Sequence, residues 1–388
     1  MSWSPDLPYY YPKPQPCPNK TDVWCRIDNE TAIFEDVLIL KEAVRRLRIA
    51  AQDERRPFFL NVGFHKPHTP YRAPGKFFDL YPDASQIATA KFQNFPVCRD
   101  ELGKTTGLAW FLCQAEDKQY PINHSVPYPT KIQQELRRAY YASVSFTDYN
   151  IGQLLQAVEN TTFNKFGEPI IVLHSDHGYQ LGERNIYCKE SNYNLATHVP
   201  LIVHVPADHP YHATSRGVRT DAFVEIVDVM PTVIDLAGLP AFNASARGEP
   251  PLGGRSFAPL LAASGTRNLV TAGAFNISFS QYGRNRCVGD LFDNHKEEKL
   301  CVTQQYMGVS VRTADYRLTE WWVCDNVTGA PIWSNPGGAT GVELYNHTAD
   351  AAARIDNFDS AAEIENLAGV VKYARVQDRL HEMLRAQF

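Results

Sequence analysis

Ile170-Ile171-Val172-Leu173-His174-Ser175-Asp176-His177-Gly178 is the stretch on which the fold class turns. An apolar, β-branched run of this length reads as a buried strand. It stops at two adjacent side chains able to bind metal, followed by a glycine. In an open α/β sheet, ligands bind beyond the carboxyl ends of the strands, where Asp176 and His177 fall. A carboxylate oxygen beside an imidazole nitrogen suits divalent cations between hard and borderline. Adjacent residues can both reach one ion only from an irregular loop, and Gly178 permits one. A polar turn after a strand looks the same in sequence, so the pair alone does not decide. Lys189, in Tyr187-Cys188-Lys189-Glu190, is a candidate anchor for an anionic group, although a lone lysine is usually solvated.

On either side of this stretch, helical and strand patterns alternate. Ile33, Val37, Leu40, Val44 and Leu47 recur at helical spacing and predict an amphipathic helix over 31–53. Phe58-Phe59-Leu60-Asn61-Val62-Gly63-Phe64 reads as a second buried strand. Thr130 and Gln133 form a capping box that opens a long helix with an apolar face of Ile132, Leu136, Tyr140, Val144, Ile151 and Leu155. Residues 200–205 read as a further strand, and 224–238 as a strand or short turn followed by a helix ending at Gly238. This alternation predicts a parallel sheet with covered faces. Residues 82–129 show little periodicity and read as a surface excursion. The pattern changes after the turn-rich 246–254, with a hairpin expected at 306–323. A last helix is expected to use Ile364, Leu367, Val371, Leu380 and Leu384. The expected organisation is α/β with a smaller C-terminal α+β domain, divided as 1–268 and 269–388.

The 388 residues carry a net charge of −5, and no basic block suggests a nucleic-acid groove. No apolar run approaches membrane-spanning length. Asn19, Asn29, Asn123, Asn160, Asn243, Asn276, Asn326 and Asn346 each open an Asn-x-Ser/Thr sequon, where roughly two are expected by chance. This excess points to the secretory route, lysosomal or extracellular, although no signal peptide follows Met1. The eight cysteines, none in a zinc-ribbon spacing, fit an oxidising compartment. Cys17 with Cys25, Cys98 with Cys113 and Cys287 with Cys301 are candidate local bridges.

Two more histidines carry weight. His65-Lys66-Pro67-His68-Thr69-Pro70 follows directly on the expected strand at 58–64. Proline on both sides of His68 restricts the local backbone and orients the ring, so that it could donate a proton to a leaving group. A turn histidine satisfied by backbone groups is the alternative. His198 reads as a residue at the start of a strand, with a supporting role in the site as the alternative.

Taken together, Phe64-His-Lys-Pro-His-Thr-Pro70, Ser175-Asp-His-Gly-Tyr-Gln-Leu-Gly-Glu183 with Lys189, and Ala196-Thr-His-Val-Pro-Leu201 resemble the type I sulfatases. Within that family they look most like the iduronate-2-sulfatase branch. Ser2-Trp3-Ser4, Ala142-Ser-Val-Ser145 and Glu343-Leu-Tyr-Asn346 add to the likeness. The resemblance implies an alkaline-phosphatase-like mixed sheet covered by helices. It also implies a sulfated carbohydrate substrate and a calcium ion, with magnesium as the alternative. By position, Asp176 and His177 match metal ligands, and His68 and Lys189 match sulfate-contacting residues, the histidine also protonating the departing alcohol. A cation and cationic side chains stabilise charge on sulfuryl oxygens in the transition state.

The chain also departs from the family. Gly182-Glu183-Arg184-Asn185 stands where members commonly read Gly-Glu-His-Gly. The expectation is that Arg184 places a fixed charge near the site and alters which anionic sugars are accepted. The Cys-x-Pro/Ala-x-Arg motif, whose cysteine becomes the formylglycine nucleophile, is absent, as are the paired metal aspartates. The resemblance puts both before Met1, so the chain reads as the C-terminal part of a sulfatase, inactive by itself. Two other readings stay open: a phosphatase or phosphonate hydrolase of the same superfamily, and a non-catalytic sulfated-glycan-binding protein. Oligomeric state is not legible.

Overall fold

The computed structural model describes residues 23–29, 31–91, 93, 127–243, 248–262, 275–286, 304–325, 327–348 and 363–388. They fall into two compact units, one within 1–93 and 114–168, the other holding 169–388.

In the first unit, β1 (Trp24–Ile27) and β2 (Tyr71–Pro74) pair in parallel, from Trp24 opposite Tyr71 to Ile27 opposite Pro74. Two long helices accompany them, α1 (Glu35–Ala51) and α2 (Thr130–Glu159). The buried line of α1 is Asp36, Ala43, Leu47 and Ala51, and Ile33 is 57% exposed. The inward face is therefore rotated from the expected one, because it carries the carboxylate of Asp36. Likewise α2 buries Gln133, Leu136, Ala139, Ala142, Ser143, Phe146 and Asn150, leaving Val144 and Leu155 exposed. Small residues along that line let neighbouring elements approach, with Phe34 and Phe77 packing against Phe146 and Tyr71 against Tyr140. The expected capping box is absent. Pro129 occupies the cap position, and Gln133 turns inward to donate to Tyr128 O at 2.6 Å and Gln93 Oε1 at 2.8 Å.

Residues 58–64 also differ from expectation. They lie outside any ladder, and Phe59 is 74% exposed. A run apolar on both faces becomes a central strand only when neighbours take up its N–H and C=O groups. No described strand pairs with it.

In the second unit, β3 (Ile171–His174) pairs with β4 (Leu201–His204), and the pair is antiparallel, with Ile171 opposite His204. Parallel pairing needs a crossover, usually a full helix. Between these strands the described chain has only short helical turns, the longest being Asn194–Thr197. The strand pairs are thus mixed in direction. Helix α3 (Val229–Leu236) ends before Gly238, whose φ of 62° provides the left-handed residue that closes a helix. Leu236, Val205 and Ala258 form one apolar cluster, and Phe257, Leu260 and Phe275 another.

The remainder of this unit is an antiparallel meander, β5 (Ile277–Arg286), β6 (Gln304–Thr313), β7 (Tyr316–Val323) and β8 (Gly341–Asn346). It includes the hairpin expected at 306–323. Leu380 and Leu384 of α4 (Ala374–Gln387) pack on Val309, Val311, Leu318 and Leu344. This helix starts at Ala374, so Ile364, Leu367 and Val371 precede it, although Leu367 still joins the same core. Alternation sends Ser310, Arg317, Thr319 and Glu343 to polar surroundings that are equally buried. Among the described residues, no helix is long and apolar enough to cross a membrane. The expected division at 268/269 and one or both members of each candidate cysteine bridge lie outside the described residues.

Candidate functional site

The residues singled out in sequence fall into two clusters, one in each unit. In the first unit, the turn after residue 64 is held from below. The Asp36 carboxylate, 1% exposed, accepts the backbone N–H groups of His65 at 2.7 Å and Lys66 at 3.0 Å. Lys66 reaches forward, its ammonium donating to His68 O at 2.9 Å and Pro70 O at 3.0 Å. Thr147 of α2 donates its hydroxyl to Lys66 O at 2.9 Å. Burial raises the Asp36 pKa, against the pull of the two amides and of Lys66. Burial likewise brings Lys66 down to about 8, despite Asp36 and Glu35 nearby.

These contacts fix the backbone on which His68 stands. The ring of His68 is at the surface, with its Nδ1 2.7 Å from Thr69 O. Nδ1 carries the proton in that contact, since a carbonyl can only accept, which leaves Nε2 as the ring's working atom. Its ring also lies 4.9 Å from that of His65. Asp36 was not expected in the site, and its only trace in the sequence is an aspartate within the apolar pattern of α1.

In the second unit, Asp176 and His177 leave β3 as predicted. Asp176 Oδ1 accepts the His177 backbone N–H at 2.9 Å, and Ser175 Oγ donates to His177 O at 2.8 Å. His177 Nδ1 donates to Gly178 O at 2.9 Å, which presents Nε2 as a lone-pair donor 3.4 Å from Asp176 Oδ2. That separation lets both atoms reach one ion at ordinary metal–ligand distances of about 2.0–2.6 Å. The Asp176 side chain is 82% exposed. The pair therefore fits part of a cation's shell, and no described group of three or more His, Cys, Asp or Glu completes it. Gly178 serves close approach. A Cβ there would lie 2.0 Å from Leu195 O, and its N–H donates to Ala196 O at 2.8 Å. The loop after β3 is thereby laid on the segment before β4.

Lys189 is half-buried, and its ammonium has no hydrogen-bond or ion-pair partner among the described residues. His198 is exposed, and desolvation together with the Arg312 charge lowers its pKa. Arg184 corrects the expectation placed on it. It is 3% exposed, donates through Nε to Glu363 O at 3.1 Å, and lies 4.2 Å over the Tyr193 ring. Its charge faces Glu363 Oε2 at 3.9 Å and is spent inside the protein instead of on a sugar. Arg184 and Asn185 adopt φ of 56° and 59°, left-handed backbone that side chains other than glycine seldom take.

The sulfatase family model matches residues 5–239. Human iduronate 2-sulfatase is 34% identical over 303 residues, which span 68% of this chain and 52% of that protein. Among solved structures, a phosphonate monoester hydrolase from Silicibacter pomeroyi superposes with a TM-score of 0.60 at 21% identity, covering 91% of this chain and 60% of its own. A protein solved with its substrate D-glucosamine-2-N,6-O-disulfate superposes with a TM-score of 0.55 at 20% identity, covering 91% of this chain and 69% of its own. These likenesses establish the alkaline-phosphatase-like fold. The chain spans about half the length of the sulfatase relatives it matches.

Proposed function

This chain belongs to the sulfatase family, and from that premise we propose that it is part of a sulfuric ester hydrolase acting on sulfated sugars of the iduronate 2-sulfate type. The observation that carries the reading is the pairing of Asp176 Oδ2 with His177 Nε2 at 3.4 Å, on the turn of the Ser175–Glu183 motif. These two residues hold the cation, calcium with magnesium as the alternative. When bound, the ion supplies positive charge to the sulfuryl oxygens. Lys189 contributes a further positive charge there. His68 keeps one proton on Nδ1 through Thr69 O, so Nε2 is the atom that, once the ring carries a second proton, delivers it to the departing alcohol oxygen. Asp36 and Lys66 keep that ring in place.

The nucleophile and the remaining metal ligands belong, in this reading, to a segment of a longer protein outside residues 1–388. Support comes from the absence of Cys-x-Pro/Ala-x-Arg and from the half-length coverage of the relatives. The exposure of Phe59 at 74% and of Ile202 on β4 at 60% agrees with apolar segments that lack neighbours. The catalytic portion is taken to end near residue 268, with 269–388 as the smaller domain. The eight sequons favour delivery to the lysosome or the cell exterior.

The test is to extend the reading frame upstream, express the longer protein, and assay it on iduronate 2-sulfate and phosphonate monoesters. Calcium-dependent release of sulfate by the longer protein, with none from residues 1–388, is expected. Preferential release of phosphonate would overturn the reading. Sulfated-glycan binding without turnover would favour the non-catalytic alternative.

A further inference from the structure

The loop carrying Lys189 runs from β3 to β4, yet much of its polar anchoring comes from the four-stranded sheet and from Glu363. Glu363 is 2% exposed. Its Oε2 accepts the backbone N–H of Asn194 at 2.8 Å, and its main-chain oxygen accepts Arg184 Nε at 3.1 Å. On the other side of the carboxylate, Oε1 accepts Arg317 Nε of β7 at 2.6 Å and lies 3.2 Å from His347 Nε2. Asn192, 4% exposed, makes a second tie. Its amide donates to Gly308 O of β6 at 3.0 Å, and its Oδ1 accepts Ser280 Oγ of β5 at 3.0 Å. Arg284 of β5, 7% exposed between Tyr282 and Trp321, donates to Glu190 O.

Residues 184, 190, 192 and 194 are thus each fastened, and Lys189 lies inside that span. A buried ionic cluster is a poor source of stability, because desolvation offsets its Coulombic gain. What such a cluster can give is a fixed arrangement. A lysine presented to a small anion from a loop needs its backbone fixed, since errors near 1 Å in placement cost about a hundredfold in rate. We propose that Glu363 and Asn192 are positioning residues that set Lys189 for the sulfuryl group, which makes the C-terminal sheet a working part of the active site. This rests on the sulfatase reading for the role of Lys189.

Two measurements test it. In residues 1–388, Asn192→Ala and Glu363→Gln are expected to speed amide hydrogen exchange across 187–195 at least tenfold, leaving 306–322 protected. In the longer protein, Asn192→Ala is expected to weaken inhibition by inorganic sulfate roughly threefold to tenfold. An inhibition constant is independent of the fraction of molecules that fold, so a merely structural role leaves it unmoved. Unchanged exchange in the loop, exchange that accelerates equally in the sheet, or an unchanged sulfate constant overturns the proposal. If Glu363→Gln fails to fold, Asn192→Ala decides. A longer protein that neither hydrolyses a sulfate ester nor binds sulfate defeats the functional reading, and exchange in residues 1–388 still decides whether the sheet holds the loop.

Discussion

Replacing Asp36 is expected to loosen the His68 turn before it unfolds the unit. The carboxylate is 1% exposed and takes two consecutive backbone amides, at 2.7 and 3.0 Å. A hydrogen bond to a charged group contributes about 1.5–3 kcal/mol. Asp36→Ala removes both and leaves the amides of His65 and Lys66 without their acceptor, for a loss of about 3–5 kcal/mol. Asp36→Asn keeps one acceptor and turns an NH2 toward the other amide, but it also removes a buried charge, so the loss should be nearer 1–2 kcal/mol. The pH dependence separates the two effects. Because burial raises the folded pKa of Asp36 above its ordinary 3.8, the folded state binds that proton more readily than the unfolded chain does. Its contribution is therefore most favourable at low pH and declines as pH rises from 3.8 through the folded value. Urea denaturation of wild type and both variants at pH 4 and pH 7 reads this directly. An Asp36→Ala loss under 1 kcal/mol would refute the reasoning, as would wild-type and Asn curves that run parallel in pH.

Lys66 gives the complementary dependence. A fall from 10.5 to about 8 costs the folded state roughly 3 kcal/mol at neutral pH, recovered as pH rises from 8 to 10.5; Lys66→Met should flatten that slope in denaturation curves. Gly178→Ala drives a Cβ to 2.0 Å from Leu195 O. It should lower calcium affinity of the longer protein at least tenfold by calorimetry, and an unchanged affinity contradicts the proposed loop geometry. Asp176→Ala should likewise remove calcium-dependent thermal stabilisation of the longer protein, as a shift lost in a melting curve. Asn29, Asn160, Asn243 and Asn276 are exposed, so protein made through the secretory route should lose mass on N-glycosidase treatment; an unaltered mass at all four speaks against that route.

The strand leading to Asp176, the hairpin at 306–323 and the helix closed by Gly238 were legible because each rests on local chemistry. A period of two, a period of 3.6 or a glycine at positive φ is written within a few residues. The run at 58–64 was misread for a different reason. Apolar composition says that a segment can be central in a sheet, but only neighbouring strands can make it so. The inward faces of α1 and α2 were missed because Asp36, Gln133 and Asn150 are polar, and a hydrophobic pattern cannot register a buried side chain satisfied by hydrogen bonds.

The site divides along the same line. Sequence alone determined which residue types were brought to bear: the Asp176–His177 pair, Lys189, and His68 between two prolines. Their order and spacing carry the resemblance to the family. Only the tertiary structure decided what each charge faces. It turned Arg184 inward against Glu363, gave the His68 turn a buried carboxylate from α1, and tied the Lys189 loop to strands lying 94 and 116 residues further along the chain. A charge acts over a few ångströms and is set by whatever surrounds it in space, and that surrounding is supplied by residues that the linear order keeps far apart.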